Sequence, residues 1–202
     1  MKSLIKNSTL KVLAILILSL LSGCALPSIN PIYYQSDVLF EDRLIGQWDG
    51  VQSIWTFEKG SNNSYLLTYW EGENLQDYSS CTFAEFEVHL LKLDNDYFID
   101  FYPDNFMNSE NLFLQFHIRR THSFARITFK DENNLSIQFP DYMWFADLLE
   151  ERPGLIDHIR TEDGVILTDE THHIQRFIKE FATSNEAFIK PYTLRRAKKD
   201  LQ

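Results

Sequence analysis

Hydrophobic and polar residues alternate with a period of two along most of the chain between residues 44 and 139. Eight segments carry this alternation or are rich in aromatic and β-branched residues, at about 44–48, 53–58, 64–70, 82–93, 97–102, 112–118, 122–130 and 135–139. Such alternation is typical of a strand with one buried face. Short polar clusters at 59–63, 94–96 and 131–134 divide the segments and suit antiparallel hairpins. The pattern predicts roughly eight antiparallel strands.

The longest predicted strand, 82–93, changes phase along its length. Phe86, Val88 and Leu90 set one alternation, whereas Leu91 and Leu93 set the opposite one. We expect a bulge or bend near residues 90–91, because one extra residue would bring both sets onto one face. A bend of this kind suits a sheet that curls on itself.

Two helices are predicted after the strands. Residues 141–150 put a hydrophobic stripe on one side, with Asp141 as the N-cap. Residues 165–167 predict a short strand that leads to Thr168, the expected N-cap of a helix at about 169–182. This second helix carries Ile174, Phe177, Ile178 and Phe181 at the spacing of an amphipathic helix docked on a sheet.

The first 24 residues predict export and a lipid anchor. Three lysines precede an apolar run at 12–21, which is too short to span a bilayer and has the length of a signal-peptide core. The sequence Leu21-Ser22-Gly23-Cys24 that follows resembles the bacterial lipobox. The resemblance implies cleavage before Cys24 and acylation of its thiol and amine. An ordinary signal peptide or a buried helix that meets a cysteine by chance is the alternative.

The remaining boundaries follow from composition. We expect a signal peptide over 1–23, a lipid-anchored tether over 24–42, a barrel domain with its helices over 43–189 and a basic tail over 190–202. The tether has two prolines and no periodicity, so it should lift the domain off the bilayer. The tail should be a solvated, frayed end, and contact with anionic lipid head groups or an acidic neighbour is the alternative. In the sorting pattern of lipoproteins, Ala25 in place of Asp implies the periplasmic face of the outer membrane.

Charge and cysteine content exclude some classes of binding partner and of structural cross-link. Residues 1–23 contain three Lys and no acidic residue, so their removal changes the formal net charge from −10 to −13. Nucleic acid is therefore not an expected partner. The two cysteines cannot form a disulfide scaffold, and Cys81 is expected to be buried and inert once Cys24 is acylated. We predict no metal site and no cofactor.

The motif Gly46-Gln47-Trp48 at the first strand resembles the Gly-x-Trp signature of the lipocalins in the calycin superfamily. The resemblance implies a mainly β fold, an eight-stranded antiparallel up-and-down barrel with the two C-terminal helices packed on it. It further implies that Trp48 lies across the closed end of the barrel, beneath a basic side chain from late in the chain. Arg126 and Arg160 are the candidates for that side chain.

An eight-stranded barrel is either filled by its own side chains or holds one small ligand. Four aromatic residues, Trp48, Trp55, Tyr69 and Trp70, are candidates for lining a ligand site, although they serve equally well as core. The polar candidates are His117, His122 and Arg126, which could converge at one rim to bind an anionic head group or perform acid–base chemistry. Solvated or structurally hydrogen-bonded histidines are the alternative.

Three classes of function remain open. The first is a lipid-anchored carrier or sensor of a small apolar or amphipathic molecule. The second is an envelope structural or protein-interaction module with a filled barrel and an unknown protein partner. The third, an enzyme using His122, requires His122, Arg126 and a carboxylate within hydrogen-bonding reach. Since no nucleophile or phosphate-binding motif is present, we do not expect an enzyme.

Overall fold

The computed structural model describes residues 25–75, 81–104, 119–162 and 164–198 of the chain. The strands are β1 Val38–Leu39, β2 Gly46–Asp49, β3 Ser53–Lys59, β4 Tyr65–Glu71, β5 Thr82–Leu93, β6 Asp96–Pro103, β7 Ser123–Phe129, β8 Asn134–Gln138, β9 His158–Thr161, β10 Gly164–Leu167 and β11 Tyr192–Arg196. The helices are α1 Tyr142–Glu151 and α2 Thr171–Phe181.

Eight of the strands close into an antiparallel barrel. Around the barrel they follow the order β2, β3, β4, β5, β6, β7, β8 and β11, and β11 pairs back onto β2. The short β1 pairs with the part of β5 that extends beyond the end of β4. The predicted fold class, a mainly β protein with a closed eight-stranded antiparallel barrel and two helices packed on it, is confirmed.

The strand that closes the barrel lies in the segment predicted as a basic tail. β11 pairs with β8 from Tyr192 to Arg195 and with β2 at Arg195 and Arg196, and Leu194 is buried inside the barrel. The prediction of a solvated end is wrong for residues 192–196, because their backbone satisfies the ladder edges that β2 and β8 would otherwise expose. The predicted strand at 112–118 lies outside the described residues, and β6 pairs directly with β7.

The barrel has a core inside it and a second core on its outer wall. The inner core contains Leu44, Trp48, Trp55, Phe57, Tyr65, Leu67, Val88, Leu90, Ile99, Phe101, Ala125, Ile127, Leu135, Ile137 and Leu194. The outer core packs both helices and the N-terminal residues against outward side chains of β5, β6 and β7, and it includes Leu91, Leu93, Phe98, Phe124, Phe145, Leu149, Ile174, Phe177 and Ile178.

The two cores explain the phase change in β5. The register of β5 with β6 is continuous through Leu90 and Leu91, so the bulge expected near these residues is wrong. Leu90 points into the barrel and Leu91 points into the outer core. Both phases are apolar because each face of the strand is covered by a different core.

The helices begin close to their predicted starts. Asp141 caps α1 as expected, because its carboxylate accepts a hydrogen bond of 3.1 Å from the backbone NH of Trp144. Glu170, and not Thr168, occupies the N-cap position of α2. The predicted apolar stripe of α2 is confirmed, since Ile174, Phe177 and Ile178 are buried.

The segment expected to be a tether is part of the folded domain. Leu26 and Ile32 are fully buried in the outer core, and Ser28 pairs with both His122 and Leu167 through its backbone. The prediction of a free tether is therefore wrong for the described residues 25–42, because its isolated apolar residues fill gaps between the barrel wall and the helices. Among the described residues, no helix has the length and apolar character needed to cross a bilayer.

Candidate functional site

One end of the barrel, called here the Trp48 end, is sealed by residues that precede β2. Leu44 is buried over this end, and its carbonyl accepts a hydrogen bond of 2.8 Å from the indole NH of Trp48. Nearby, the guanidinium of Arg43 lies 4.0 Å from the ring centre of Phe129. The Trp48 side chain is 1 % exposed and packs in the inner core.

The basic side chain over Trp48 comes from β11. Arg196 places its guanidinium carbon 4.2 Å from the Trp48 ring centre and donates hydrogen bonds to the carbonyls of Ile45, Arg43 and Glu132. A Cβ at Gly46, where φ is +119°, would lie 2.9 Å from Nη1 of Arg196. Glycine at this position therefore leaves room for the guanidinium. Arg126 and Arg160 were the expected candidates, and both lie elsewhere.

The opposite end of the barrel is lined by aromatic rings, of which three are half-buried and the fourth, Tyr192, is 38 % exposed. We call Tyr69, Phe86, Phe139 and Tyr192 the aromatic mouth. Its floor consists of two buried rings, Trp55 and Phe101, whose centres lie 6.2 Å apart. The ring centres of Trp55 and Tyr69 are 5.0 Å apart, and those of Phe139 and Tyr192 are 6.4 Å apart. These contacts form a continuous aromatic layer across the interior.

Polarity at the aromatic mouth comes from Tyr69 and Glu71. Burial raises the pKa of Tyr69 to about 12, and the neighbouring carboxylate of Glu71 adds to the shift both through its charge and as the acceptor of a hydrogen bond from the phenol. Tyr69 is therefore a neutral hydroxyl at ordinary pH. The mouth offers flat apolar surface together with one acceptor carboxylate and two phenols.

Trp70 does not face the barrel interior, although it was grouped with the other aromatic candidates. It alternates outward from Tyr69 on β4, and its ring centre lies 4.9 Å from that of Phe83 on the outer wall. Phe83 is 53 % exposed. Trp48, Trp55 and Tyr69 face inward as a ligand-lining role requires, whereas Trp70 belongs to a surface patch.

His122 belongs to a polar cluster beneath the N-terminal segment. Its Nδ1 lies 2.7 Å from Oδ1 of the fully buried Asp100, and its ring stacks on Tyr102 with centres 4.5 Å apart. The second carboxylate oxygen of Asp100 accepts a hydrogen bond of 3.0 Å from the backbone NH of Ile32. Both oxygens of Asp100 are thus used to fasten β6 to β7 and to the N-terminal segment.

Arg126 does not join that cluster. It lies on the same face of β7 as His122, but it donates to the carbonyl of Ala182 at 2.6 Å and to the side-chain oxygen of Gln138 at 3.0 Å. Its guanidinium also lies 4.5 Å from the ring centre of Phe188. The expected group of His122, Arg126 and a carboxylate is therefore not assembled as predicted: Asp100 pairs with His122, and Arg126 binds the residues that follow α2. His117 lies outside the described residues.

Sequence reasoning missed two residues of the His122 cluster, His89 and Asp100. His89 is buried on β5 and stacks on Tyr33 with ring centres 4.1 Å apart. Burial lowers the pKa of His89 below its usual 6.5, and burial together with the charges of Asp100 and Glu87 raises the pKa of Tyr33 to about 12. The alternation of β5 and β6 would have placed His89 and Asp100 on the outer face, but no sequence signal showed that the N-terminal segment covers it.

The described residues do not bring three or more His, Cys, Asp or Glu side chains together in a group that could hold a metal ion. Cys81 is half-buried, and its thiol donates to the carbonyl of Asn74 at 3.5 Å. The expected full burial of Cys81 is wrong, because it precedes β5 at the rim of the barrel and not inside it.

Comparison with known proteins identifies no relative of this chain. No protein-family model matches the chain, and searches of curated proteins and of solved structures return no match.

Proposed function

We propose that this protein is a lipid-anchored envelope protein whose lipocalin-like barrel binds a small apolar or amphipathic molecule at the aromatic mouth. The observation that carries the proposal is the aromatic layer at one end of a barrel whose other end is sealed. Three half-buried rings and the more exposed Tyr192, over a buried floor, provide the flat apolar surface that small-molecule sites use. The opposite end, with Trp48 beneath Arg196, supplies a rigid base.

The packing of the inner core supports a ligand position at the aromatic mouth and not deeper in the barrel. Large side chains fill the barrel from Trp48 to Trp55 and Phe101, so the proposed ligand sits between the rings of the mouth and is not enclosed deep in the interior. This arrangement favours a flat molecule or one end of a chain-like molecule. Tyr69 and Tyr192 would offer hydroxyls to its polar end, and the carboxylate of Glu71 disfavours an anionic head group there.

The lipid anchor rests on the lipobox resemblance at Cys24, which lies outside the described residues. One acyl chain gives only marginal membrane binding, at about 0.8 kcal/mol per buried CH₂, whereas several chains on one residue give stable attachment. We propose attachment to the periplasmic face of the outer membrane. An envelope location suits a carrier or sensor of molecules that partition between water and lipid.

The ligand proposal is tested on protein extracted from its own membranes. Native mass spectrometry should show a stoichiometric small molecule that leaves on mild denaturation. An environment-sensitive naphthylamine dye should then bind the emptied protein. Substitution of Phe86 by Ala should weaken dye binding about tenfold, because an aromatic contact contributes roughly 0.5–1.5 kcal/mol and 1.4 kcal/mol corresponds to a factor of ten.

Phe83→Ala is the matched control, since Phe83 lies on the same strand near the same end but points outward. It should leave dye affinity unchanged. Equal loss in both variants, or dye binding that neither substitution changes, would place the site outside the mouth and contradict the proposal.

The anchor is tested separately with Cys24→Ala. The variant should fold normally but move from the membrane fraction to the soluble periplasmic fraction. The wild-type protein should incorporate radiolabelled palmitate, whereas the variant should not. Wild-type protein that carries no lipid and still contains residues 1–23 would refute the anchor without touching the ligand proposal.

A protein-interaction module is the second candidate function, and the exposed Phe83 beside Trp70 favours it. In that case Phe83→Ala should abolish partner capture, and the extracted protein should have a clean apo mass. The same pair of variants therefore separates the two candidates.

A further inference from the structure

A small sheet on the outer wall of the domain begins within a few residues of the proposed anchor. Residues 27–29 form an extended segment beside β10, which in turn pairs with β9. The backbone NH of Leu167 donates to the carbonyl of Pro27 at 2.9 Å, and the NH of Ile29 donates to the carbonyl of Leu167 at 2.9 Å. These bonds set the register and decide which side chains share a face.

The two faces of this small sheet have different environments. Toward the outer core lie Leu26, Ser28, Val165 and Leu167, all of which are buried. The alternation puts Pro27, Ile29, Ile159 and Ile166 on the other face, which we call the isoleucine face. Ile29 is 46 % exposed and Ile159 is 48 % exposed. Four apolar residues on adjacent strands thus share this face, two of them exposed and two, Pro27 and Ile166, half-buried.

The chain upstream of the sheet is too short to separate it from a bilayer. Cys24 precedes the fully buried Leu26 by two residues, which span at most roughly 7 Å. A free segment over the whole of 24–42 would instead have spanned up to roughly 60 Å. Because residues 25–42 are folded, an acylated Cys24 holds the wall of the domain at the membrane surface.

We infer that the isoleucine face is a membrane-seating surface that rests in the interfacial region of the bilayer beside the acylated Cys24. This inference rests on the proposed lipid anchor. Once the anchor has attached the protein, the local lipid concentration is high, so a small apolar face suffices to choose the orientation of the domain.

The chemistry of the face favours lipid over a second protein. A stable protein interface takes roughly 20–30 residues a side, far more than the four residues of the isoleucine face. Arg160, the cation of β9, binds the carbonyl of Ala146 and lies 3.5 Å from Glu150. Arg160 is therefore not available to bind lipid phosphate, and the mature protein as a whole carries a net charge of −13. The small sheet should for these reasons meet the bilayer through apolar contact and not through attraction to anionic lipid. Seating should therefore occur on zwitterionic phosphatidylcholine and resist high salt.

The experiment places one fluorescent probe at a time on the full acylated protein in phosphatidylcholine vesicles. Cys81→Ser removes the thiol of Cys81, and Ile159→Cys or Ile29→Cys supplies a labelling site on the isoleucine face. Glu58→Cys is the matched control, because Glu58 is exposed on the outer face of β3, the strand across the barrel from β7. Val51→Cys marks the turn between β2 and β3.

Lipids that carry a nitroxide near the head group should quench the probes at positions 159 and 29 and leave the probe at 58 bright, in low and in high salt. Vesicle flotation of each labelled protein reports the anchor independently. Protein that fails to float refutes the proposed anchor. Protein that floats with equal quenching at 58 and 159, or with quenching at 51 in place of 159, overturns the seating surface while the anchor stands.

Discussion

Replacement of Arg196 by Ala tests whether β11 is a structural strand of the barrel. Arg196 is the end of the last barrel strand, and it contacts Trp48 by its guanidinium face while its NH groups bond three backbone carbonyls of two other segments. A cation–π contact with a buried ring contributes roughly 1–2 kcal/mol. Each hydrogen bond contributes roughly 1 kcal/mol net, and less where water can replace the guanidinium.

Because Arg196 is half-exposed, water recovers part of the three hydrogen bonds, and we expect the variant to lose about 3 kcal/mol of unfolding free energy. For a domain of this size, that loss lowers Tm by roughly 6–12 °C. Arg196→Lys keeps the charge but not the planar fork, so about half of the loss should remain. The assay is urea unfolding of the delipidated domain, followed by far-UV circular dichroism.

Arg195 provides the control, since it is the exposed neighbour on the same strand. Arg195→Ala should change stability by no more than about 0.5 kcal/mol. If the two Ala variants unfold at the same urea concentration, the contacts of Arg196 with Trp48 and with the three carbonyls do not stabilise the Trp48 end, and the reasoning fails.

Two further predictions concern strand closure and pH. Leu194→Asp should prevent cooperative unfolding, because it puts a charge into the inner core, where Leu194 is 1 % exposed. Thr193→Asp on the opposite face of β11 should leave a normal unfolding transition. Calorimetry of both variants checks this, and two equal transitions would argue against closure of the barrel by β11. Burial lowers the pKa of His89 from 6.5, so the unfolded chain binds its proton first and stability falls as the pH drops below roughly 6.5. His89→Gln should flatten the stability profile between roughly pH 7 and pH 5, and an unchanged slope in urea titrations at each pH would exclude His89 as its source.

Strands β2 to β8 were predicted close to their observed bounds, but the buried face was clearest in the sequence where the alternation reports a single environment. β3, β4 and β8 each turn one face toward the inner core, so period two is visible in their sequences. In β5 the alternation is also regular, but near Leu90 and Leu91 both faces are apolar, and the sequence alone suggests a change of register. The second apolar face is a consequence of the outer core, which is built from segments distant in sequence.

β11 was missed because its charges hide its alternation. Tyr192, Leu194 and Arg196 share the inward face, but only Leu194 lies deep enough to require an aliphatic side chain. The other two stand at the ends of the barrel, where a phenol and a guanidinium are tolerated. The segment that contains Lys190, Arg195 and Lys198 therefore has the basic composition expected of a solvated tail, although part of it forms a strand.

The N-terminal segment was missed for a related reason. Its two prolines and lack of periodicity predict a tether, yet a segment without regular structure can still be fixed by single buried residues. Leu26 and Ile32 occupy the outer core, and Asp100 receives the backbone NH of Ile32. Of the candidate site, the inward position of Trp48, Trp55 and Tyr69 could be predicted from the sequence, whereas the outward position of Trp70 and the identity of the arginine over Trp48 could not. The burial of Asp100 and His89 could not, because it depends on this cover.

The closing strand is also the last of the described strands to leave the ribosome. Arg196 donates to the carbonyl of Ile45, which was synthesised 151 residues earlier. The first barrel strand therefore cannot pair with β11 until nearly the whole domain has been synthesised. Seven strands can form hairpins in turn as they appear, but the sheet keeps two open edges until β11 arrives. A nascent chain stalled before residue 192 would therefore present two unpaired sheet edges. Chaperone binding and aggregation would compete at these edges at that stage.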